Sequence, residues 1–382
     1  MEAELSEDLG RFDVIVVGGG IAGVSLAGEL TPGARVLVLE RESQPAYHSS
    51  GRSAAIYIEP YSTDPIFALT RATLPFLVAP PPEFTDQPLV HGRGYLLLAR
   101  REQDALMDEY LARWLPRCPA IREIDLDEAR RRLPILVDGY AHRAAFDEAA
   151  WGLDTNEMLQ GWLRRLRRNA GRFLGDAEVR AVHREGDDFV VTSAAGTARA
   201  PVLVNAAGAW AAGLARMAGA SEIAMQPRRR SAVLVAPPAG QDIAHWPAVS
   251  DIDKGFYFKP EGGALMISPA DQTPSEPCDA RPEELDLAIA VDRAQQAADL
   301  QVRRFQASWA GLRTFAPDED PVLGWDPQLP GFYWCAGQGG VGFQTSAAAA
   351  RWCAAELGVG TPPDGLRELG FRATDVAPTR FL

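Results

Sequence analysis

The sequence has 382 residues and a formal net charge of −13 at pH 7, so it is long enough for two domains around a large core. An acidic balance of this size argues against a nucleic-acid partner and against adhesion to anionic lipid. No apolar stretch approaches the ~20 residues needed to span a bilayer. The acidic start Met1-Glu2-Ala3-Glu4 lacks the basic and apolar regions of a secretory signal. We therefore expect a cytoplasmic protein with no integral membrane segment.

The first element in chain order is an apolar strand at 14–17, followed by a glycine-rich turn and a small-residue helix at 24–30. The turn reads Gly18-Gly19-Gly20-Ile21-Ala22-Gly23, and a second strand at 35–39 ends in Glu40. In a dinucleotide-binding unit, Gly18 makes the tight turn, Gly20 lets a pyrophosphate approach the backbone, and Gly23 allows close helix–strand packing. Glu40 stands where an acid binds the adenosine ribose hydroxyls. The alternative is a strand–helix turn without a ligand, which leaves Glu40 unexplained.

Later elements repeat the pattern of an apolar segment beside small residues. They are predicted as a helix from the N-cap Asp154 to Gly171, a strand at 202–208, a helix at 209–218, a strand at 332–336 and an alanine-rich helix at 346–357. A glycine-rich loop at 337–345 joins the last two. Segments far apart in sequence are thus expected to build one nucleotide-binding domain.

The intervening pieces carry alternating strands, such as 95–99 and 264–268, which predict a separate antiparallel sheet. The expected fold class is α/β, with a Rossmann-like nucleotide-binding domain and an α+β substrate part. The expected division is 1–69, 140–225 and 310–382 for the nucleotide-binding domain, and 70–139 and 226–309 for the substrate-binding domain. Because open α/β sheets bind ligands outside the strand carboxyl ends, the reaction is expected between the two parts.

The four cysteines give no metal-binding or disulfide signal. Cys118, Cys278, Cys335 and Cys353 are widely spaced, without a CxxC pair or a histidine at ligand spacing. We therefore expect no metal site and free, mostly buried thiols.

Five stretches together resemble the FAD-dependent amine oxidoreductases of the D-amino-acid oxidase and glycine oxidase superfamily. Within that superfamily the bacterial D-arginine dehydrogenases are the most similar group. The stretches are Tyr47 to Ala55, Val204 to Trp210, Gln226 to Ala232, Trp309 to Arg313, and Gln338 to Ser346. Because they span nearly the whole chain, the resemblance implies the full fold of that superfamily.

The resemblance implies FAD rather than NAD as the cofactor. It places Gly18, Gly20 and Gly23 at the pyrophosphate, Glu40 and Arg41 at the adenosine, and the backbone of Val179 beside adenine. The further positions implied for the cofactor are Ile21, Ala22, His48, Ser49, Ser50, Gly51, Arg52, Ser53, Ala54, Ala55, Ala207, Gly208, Trp210, Gly311, Arg313, Gly339, Gly340, Val341, Gly342, Phe343 and Gln344. A simple turn is the alternative for the loop at 47–55. Relatives with a covalently attached flavin carry a cysteine near Gly311, and this chain has none, so the FAD is expected to be non-covalent.

Arg313 and Arg230 match the superfamily positions that bind a substrate carboxylate, where a bidentate arginine supplies charge and orientation. A surface ion pair with Asp318 or Glu319 is the alternative for Arg313. Strand alternation puts Arg228 and Arg230 on one face, so only the resemblance chooses between them.

Three further positions complete the expected catalytic group. Tyr257 matches a tyrosine whose hydroxyl meets the carboxylate, Tyr61 matches one at the entrance, and Gly340 would offer its carbonyl to the substrate amine. Half-buried strand or loop aromatics are the alternative for both tyrosines.

The expected substrate pocket contains Ile56, Tyr95, Ala248, Ser250 and Phe343. In the D-arginine dehydrogenases an acid that binds the guanidinium stands at the position of Tyr95 and a histidine at that of Ile56. A cationic substrate would therefore lose a charge-assisted bond of roughly 1.5–3 kcal/mol. Ala248 and Ser250 replace larger apolar residues, which leaves room for a bulkier side chain or an N-substituent.

The expected activity is oxidative deamination of a neutral, apolar or aromatic D-amino acid. A hydride passes from Cα to flavin N5, and the products are a 2-oxo acid and ammonia. The alternative is oxidation of glycine, sarcosine or another N-substituted, opine-like amino acid. The electron acceptor, whether a quinone, a dye or O2, is not determined by the sequence. A flavin- or NAD-binding regulatory subunit and an RNA-modifying FAD protein are the rivals from other classes.

Overall fold

The computed structural model describes residues 7–382, so the acidic Met1–Glu4 stretch lies outside the described residues. Helices and strands alternate along the chain. The helices within 7–382 are α1 (Ile21–Leu30), α2 (Asp64–Val78), α3 (Asp104–Trp114), α4 (Leu126–Arg132), α5 (Thr155–Arg168), α6 (Ala211–Ala218), α7 (Glu284–Ala297) and α8 (Gly342–Glu356). None of them is both long enough and apolar enough to cross a bilayer.

A six-stranded sheet forms the nucleotide-binding part. Its order is Arg172–Leu174, Val36–Leu39, Val14–Val17, Val202–Asn205, Phe332–Ala336 and Val322–Trp325. All neighbours are parallel except the last two strands. The short apolar strands are buried on both faces, as expected when helices cover a parallel sheet. On one face, α1 packs between α5 and α8, where its glycine and alanine positions allow close approach.

A nine-stranded sheet forms the second part, as the sequence predicts. Its order is Thr273–Pro274, Gln226–Val235, Ala264–Ser268, Tyr257–Glu261, Ala248–Asp251, Tyr95–Ala99, Arg143–Asp147 and Ile121–Ile124, with Phe305–Phe315 paired to Gln226–Val235. The pairs are antiparallel, except that Ala248–Asp251 runs parallel to Tyr95–Ala99. The predicted α/β fold with a separate, mostly antiparallel sheet is therefore confirmed.

Two small sheets complete the architecture. One has the order Asp8–Arg11, Gly196–Ala200, Asp188–Ser193 and Val179–Glu185, and the other Ile56–Tyr57, Trp151–Leu153 and Val90–Gly92. The first continues from the six-stranded sheet through residues 7–13. The second carries Ile56 towards the space between the two large sheets.

The division into domains stays a proposal, and the strand pairing refines two of its boundaries. Arg143–Asp147 belongs to the nine-stranded sheet, although 140 onwards was expected in the nucleotide-binding domain. Its antiparallel pairing with Tyr95–Ala99 on one side and Ile121–Ile124 on the other is what places it there. Phe305–Phe315 crosses the expected boundary at 310 as one continuous strand. Sheet membership thus favours boundaries after Asp147 and after Phe315.

Candidate active site

The first glycine turn has the geometry that a bound pyrophosphate needs. Gly18 has φ +114°, and a Cβ there would overlap the carbonyl oxygen of Ala206. A Cβ on Gly23 would overlap the carbonyl oxygen of Gly18. These two positions therefore require glycine, one for the turn and one for helix–strand packing, which are the roles predicted for them.

Glu40 is held at the end of its strand by two backbone amides. The Gly19 amide donates to Oε2 at 2.6 Å and the Glu42 amide donates to Oε1 at 2.9 Å. The side chain is 8% exposed. The fixed carboxylate keeps lone pairs for further hydrogen-bond donors, and its contact with the ribose hydroxyls stays a prediction.

A cavity of about 300 Å³ opens beside this turn. We call it the glycine-loop cavity. Its lining includes the predicted cofactor residues Gly18, Gly20, Glu40, Arg41, His48, Ser49, Ser50, Val179, Ala207, Gly208 and Trp210. The guanidinium of Arg41 lies 4.6 Å from the ring centroid of Trp210. His48, another position implied for the cofactor, also lies here, 4.6 Å from the Trp210 ring and 2.8 Å from a Glu42 oxygen.

A second cavity of about 120 Å³ continues from the first and shares five lining residues with it, among them Gly20 and Ser50. We call it the connecting cavity. The predicted positions that line it are Gly20, Ile21, Ala22, Ser49, Ser50, Arg52, Ser53, Gly208, Gly311, Arg313, Gly339, Gly340, Gly342 and Phe343. Ser50 Oγ accepts a hydrogen bond from the Ile21 amide at 3.0 Å, which joins the 49–52 turn to the start of α1.

Gly51 and Arg52 connect this turn to other parts of the protein. A Cβ on Gly51 would overlap the carbonyl oxygen of Ala46. Arg52 donates to the carbonyl oxygens of Ala280 and Ala310 at 3.0 and 2.8 Å. This loop is therefore a specific structural link between the two large sheets, and not a simple surface turn.

The third cavity measures about 740 Å³ and lies between the two large sheets. We call it the arginine cavity. It shares Ser53, Arg230, Arg313, Gln338, Gly339, Gly340 and Phe343 with the connecting cavity, so the three cavities form one channel. The further predicted positions that line it are Ala54, Ala55, Ile56, Tyr61, Tyr95, Ser250, Tyr257, Val341 and Gln344. A separate surface cleft of about 500 Å³ beside Glu29 and Arg351 shares no lining residue with this channel.

Arg313 faces the arginine cavity and makes no ion pair with any residue of 7–382. Asp318, its predicted alternative partner, binds Arg380 at 2.7 Å, and Glu319 binds Arg228 at 2.6 Å. The surface ion-pair interpretation is therefore wrong. Gly340 packs directly on the guanidinium, because a Cβ there would lie 2.6 Å from Arg313 Nη1.

The structure also separates Arg230 from Arg228, which the sequence could not do. Arg228 lies directly opposite Arg313 on the paired strands, and Arg230 lies opposite Gly311. All three guanidinium groups start from one face of the sheet, where like charges destabilise each other. Arg228 is neutralised by Glu319, and Arg230 lines the cavity with its Nε donating to the Asp271 carbonyl oxygen at 2.7 Å. Within residues 7–382 Arg313 thus keeps an unpaired charge, and Arg230, whose Nε lies 4.0 Å from Asp271 Oδ1, adds a second positive charge that faces the cavity.

Two phenols stand beside these arginines. Burial raises the pKa of Tyr61, but the charges of Arg313, Arg230 and Lys254 outweigh burial and leave that pKa lowered. Burial lowers the pKa of Arg313, while Tyr61 and Tyr257 outweigh it and leave that pKa raised. Arg313 therefore stays charged despite its position between the sheets, and both phenols line the same cavity.

The predicted pocket residues divide into lining and non-lining groups. Ile56, Tyr95, Ser250 and Phe343 line the arginine cavity. Ala248 does not, because its side chain is fully buried in the sheet opposite Tyr95. The small size of Ala248, compared with the larger residue of the D-arginine dehydrogenases, therefore does not enlarge the cavity directly.

Two functional candidates were missed by the sequence analysis. Lys254 lines the arginine cavity with φ +61°, its ammonium 5.3 Å from the ring centroid of Tyr61. The turn-forming Asp253-Lys254-Gly255 was the only sequence signal for it. Asp271 accepts from the Ser231 amide at 2.7 Å and so fixes the segment that holds Arg230.

The channel fits an FAD molecule. Its glycine-loop end offers a fixed acid and backbone amides, its middle is lined by glycines, and its inner end holds the guanidinium groups of Arg313 and Arg230. None of Cys118, Cys278, Cys335 and Cys353 lines any of the three cavities, and the first, third and fourth are buried free thiols, as predicted.

Comparisons with known proteins identify the family. The family model described as "DAO: FAD dependent oxidoreductase" matches residues 13–356. Glycine oxidase of Geobacillus kaustophilus is 27% identical over 339 residues, covering 86% of this chain and 88% of that protein. Its crystal structure superposes with a TM-score of 0.82 over 93% of this chain and 97% of that one, at 24% identity. Iminodiacetate oxidase of Chelativorans sp. BNC1 shares the fold, with a TM-score of 0.80 at 19% identity over 96% of this chain and 98% of that one. The chain therefore belongs to the DAO family of FAD dependent oxidoreductases and uses FAD as its cofactor.

Proposed function

We propose that this enzyme oxidises the Cα–N bond of a D-amino acid that carries a neutral, apolar or aromatic side chain. The observation that carries the proposal is the pair of guanidinium groups, Arg313 and Arg230, that face one cavity, where Arg313 has no ion-pair partner among residues 7–382 and Arg230 has only a 4.0 Å contact with Asp271. An α-carboxylate satisfies both by charge-assisted hydrogen bonds. The glycine oxidase relative supports an amino acid as the substrate class. Bound FAD supplies the acceptor for the hydride that leaves Cα.

Arg313 and Arg230 together form what we call the carboxylate clamp, and the residues around this clamp orient the substrate. Tyr61 and Tyr257 supply hydroxyl groups beside the carboxylate, and the Gly340 carbonyl accepts a hydrogen bond from the amine. With three atoms of the substrate fixed, Cα–H points in one direction only, which favours one enantiomer. Glu40, Gly18 and Gly20 hold the adenosine and pyrophosphate of FAD at the other end of the channel, and the cofactor is held without a covalent bond.

The pocket wall favours uncharged side chains over cations. Ile56, Tyr95 and Phe343 line this part of the cavity, and none offers a carboxylate. A guanidinium or ammonium side chain would also meet the charges of Arg230, Arg313 and Lys254. The likeness to D-arginine dehydrogenases therefore extends to the clamp and not to the side-chain anchor. We therefore expect lower kcat/KM for D-Arg and D-Lys than for D-Leu or D-Phe, because the cationic substrates lack the charge-assisted bond, worth roughly 1.5–3 kcal/mol, that an acid at the position of Tyr95 would supply.

A second candidate is oxidation of N-substituted amino acids such as sarcosine or opine-like amines. The arginine cavity favours it, because its lining continues past Arg313 and Tyr61 to Lys254 and Arg113, beyond the positions implied for the cofactor. Hydrolysis of the oxidised product then releases a 2-oxo acid and the substituted amine.

Anaerobic bleaching of the flavin absorbance against D- and L-amino acids, glycine and sarcosine tests the proposal. Bleaching by apolar D-amino acids with little response to their L-enantiomers supports it. Equal rates for both enantiomers contradict it, and no bleaching by any amine favours a regulatory flavoprotein. Release of hydrogen peroxide under air separates an oxidase from a dehydrogenase that uses a quinone or dye. The cytoplasmic location stays a prediction.

A further inference from the structure

The arginine cavity holds more positive charge than one carboxylate requires. Its cationic lining residues are Arg113, Arg230, Lys254 and Arg313, and its anionic lining residues are Glu109, Asp253 and Glu319. Glu319 already binds Arg228, and Asp253 binds Gln103 at 2.9 Å and Arg100 at 3.5 Å. Two of the three carboxylates are thus committed outside the cavity. Two of the four cations also have partners, because Arg113 lies 3.8 Å from Asp64 and Arg230 lies 4.0 Å from Asp271. A substrate whose single carboxylate pairs with Arg313 therefore leaves Lys254 without a counter-charge.

Lys254 is the cation best placed to take a second anion. Within residues 7–382 its ammonium makes no ion pair, either with Glu109 or with any other acid. The side chain extends over the ring of Tyr61, while Tyr61 itself interacts with Arg313. Lys254 therefore lies one tyrosine away from Arg313, and as an exposed residue it stands where the same cavity meets solvent, which we call the mouth.

The turn that carries Lys254 is fixed in place. The Lys254 amide donates to the Asp251 carbonyl oxygen at 2.9 Å, and Arg293 donates to the Gly255 carbonyl oxygen at 2.6 Å. The Gly255 amide donates to Asp253 Oδ1 at 2.8 Å. A non-glycine residue at φ +61° carries a strain of order 1 kcal/mol or more, and such strain concentrates at ligand-binding positions.

We propose that Lys254 binds a second carboxylate carried on the nitrogen of the substrate, so that the enzyme prefers N-carboxyalkyl amino acids to N-alkyl ones. The uncharged wall of Ile56, Tyr95 and Phe343 takes the side chain, which leaves the nitrogen substituent to reach the mouth. This inference rests on the proposed function, since Arg313 and Arg230 hold the first carboxylate.

The reaction balances with FAD as the oxidant. The substrate loses a hydride from Cα to FAD and a proton from nitrogen, and a C=N bond forms. Water then adds to that carbon and the C–N bond breaks. The products are a 2-oxo acid and the amino acid that was the nitrogen substituent. The enzyme that supplies such a substrate would join an amino acid to a 2-oxo acid by reductive condensation.

A kinetic comparison of matched amines in the holoenzyme tests the charge preference. Iminodiacetate and N-ethylglycine are similar in length and differ in the terminal carboxylate, and N-carboxymethyl-D-alanine and N-ethyl-D-alanine form the same pair on a chiral substrate. We expect kcat/KM at least tenfold higher for the dicarboxylates. Lys254→Met should lower the dicarboxylate values tenfold more than the N-ethyl values, whereas Lys254→Arg should retain most of the preference.

Lysine labelling gives a readout that does not depend on turnover. The sequence contains only two lysines, Lys254 and Lys259, and Lys259 is buried in an ion pair with Glu261. An amine-reactive reagent should therefore modify Lys254, as located by mass spectrometry of peptides. Iminodiacetate should protect it at concentrations where N-ethylglycine does not.

Three outcomes would overturn the inference. One is an equal loss of kcat/KM for both members of each substrate pair in Lys254→Met, which would mean that Lys254 serves only as a cation–π partner of Tyr61. Another is unprotected labelling of Lys254, and the third is a preference for D-aspartate and D-glutamate over the N-carboxyalkyl amines. Turnover of neutral amines would persist in all three cases. Absence of turnover with every amine would instead contradict the proposed function.

Discussion

Substitution of Gly340 by alanine should damage substrate binding without damaging the fold. The added Cβ would lie 2.6 Å from Nη1 and 2.9 Å from Cζ of Arg313. Ordinary contacts between such atoms begin near 3.5 Å, so the guanidinium has to move by ~1 Å. Loss of one charge-assisted hydrogen bond costs roughly 1.5–3 kcal/mol. At about 1.4 kcal/mol per tenfold, this lowers kcat/KM by about 10- to 150-fold.

Steady-state kinetics and thermal unfolding of Gly340→Ala test this expectation together. Most of the loss should appear in KM, and the unfolding midpoint should stay within ~2 °C because a mobile side-chain end takes up the displacement. Gly92→Ala is the control, since a Cβ at Gly92 meets nothing within 4 Å. When Gly340→Ala is combined with Arg313→Lys, it should cause little further loss of kcat/KM. The reasoning is refuted if Gly340→Ala keeps its KM, or if its effect is undiminished when Arg313 is replaced.

Three other substitutions give separate tests. Gly18→Ala should yield colourless, less stable protein, measured by the flavin-to-protein absorbance ratio, because φ +114° and the Ala206 carbonyl oxygen exclude a side chain. Glu40→Ala should weaken FAD binding at least tenfold and Glu40→Gln less, by fluorescence titration of apoprotein, since only the carboxylate accepts from both flanking amides. Burial raises the pKa of Asp147 from 3.8 to about 6, so the folded protein holds a proton that the unfolded chain releases, and stability falls as pH rises from about 4 to 6. Asp147→Asn should therefore increase the free energy of unfolding by up to about 3 kcal/mol at pH 7.5 and by almost nothing at pH 4, and an equal gain at both pH values would contradict the assignment.

Apolar runs were enough to predict four of the six strands in the nucleotide-binding sheet, but not Arg172–Leu174 or Val322–Trp325. Val14–Val17 and Phe332–Ala336 begin and end where the sequence indicates. The helices start earlier than predicted, α1 at Ile21 rather than 24 and α8 at Gly342 rather than 346. Because glycine has a low helix propensity, a prediction from local sequence places the first residue of each helix after the glycines. Packing against the sheet overrides that propensity in both helices.

The details of the site depended on contacts between distant residues. Glu319 lies 91 residues after Arg228 and neutralises it, which no alternation pattern along one strand reveals. The parallel pairing that buries Ala248 against Tyr95 joins segments about 150 residues apart. Lys254 belongs to no sequence motif other than a turn, and only its position in one cavity with Tyr61 and Arg313 indicates its importance. Residue types thus predicted the chemistry of the clamp, whereas the neighbours of each side chain came from the tertiary structure.

The pairing of Phe305–Phe315 with Gln226–Val235 has a practical consequence for protein engineering. Both members of the clamp start from this long ladder, whereas Ile56, Tyr95 and Phe343 come from three unrelated elements. Randomised libraries can therefore vary those three positions to redirect selectivity while leaving the ladder untouched. Variants obtained in this way should inherit the reactive orientation of the parent and differ mainly in which amines they accept.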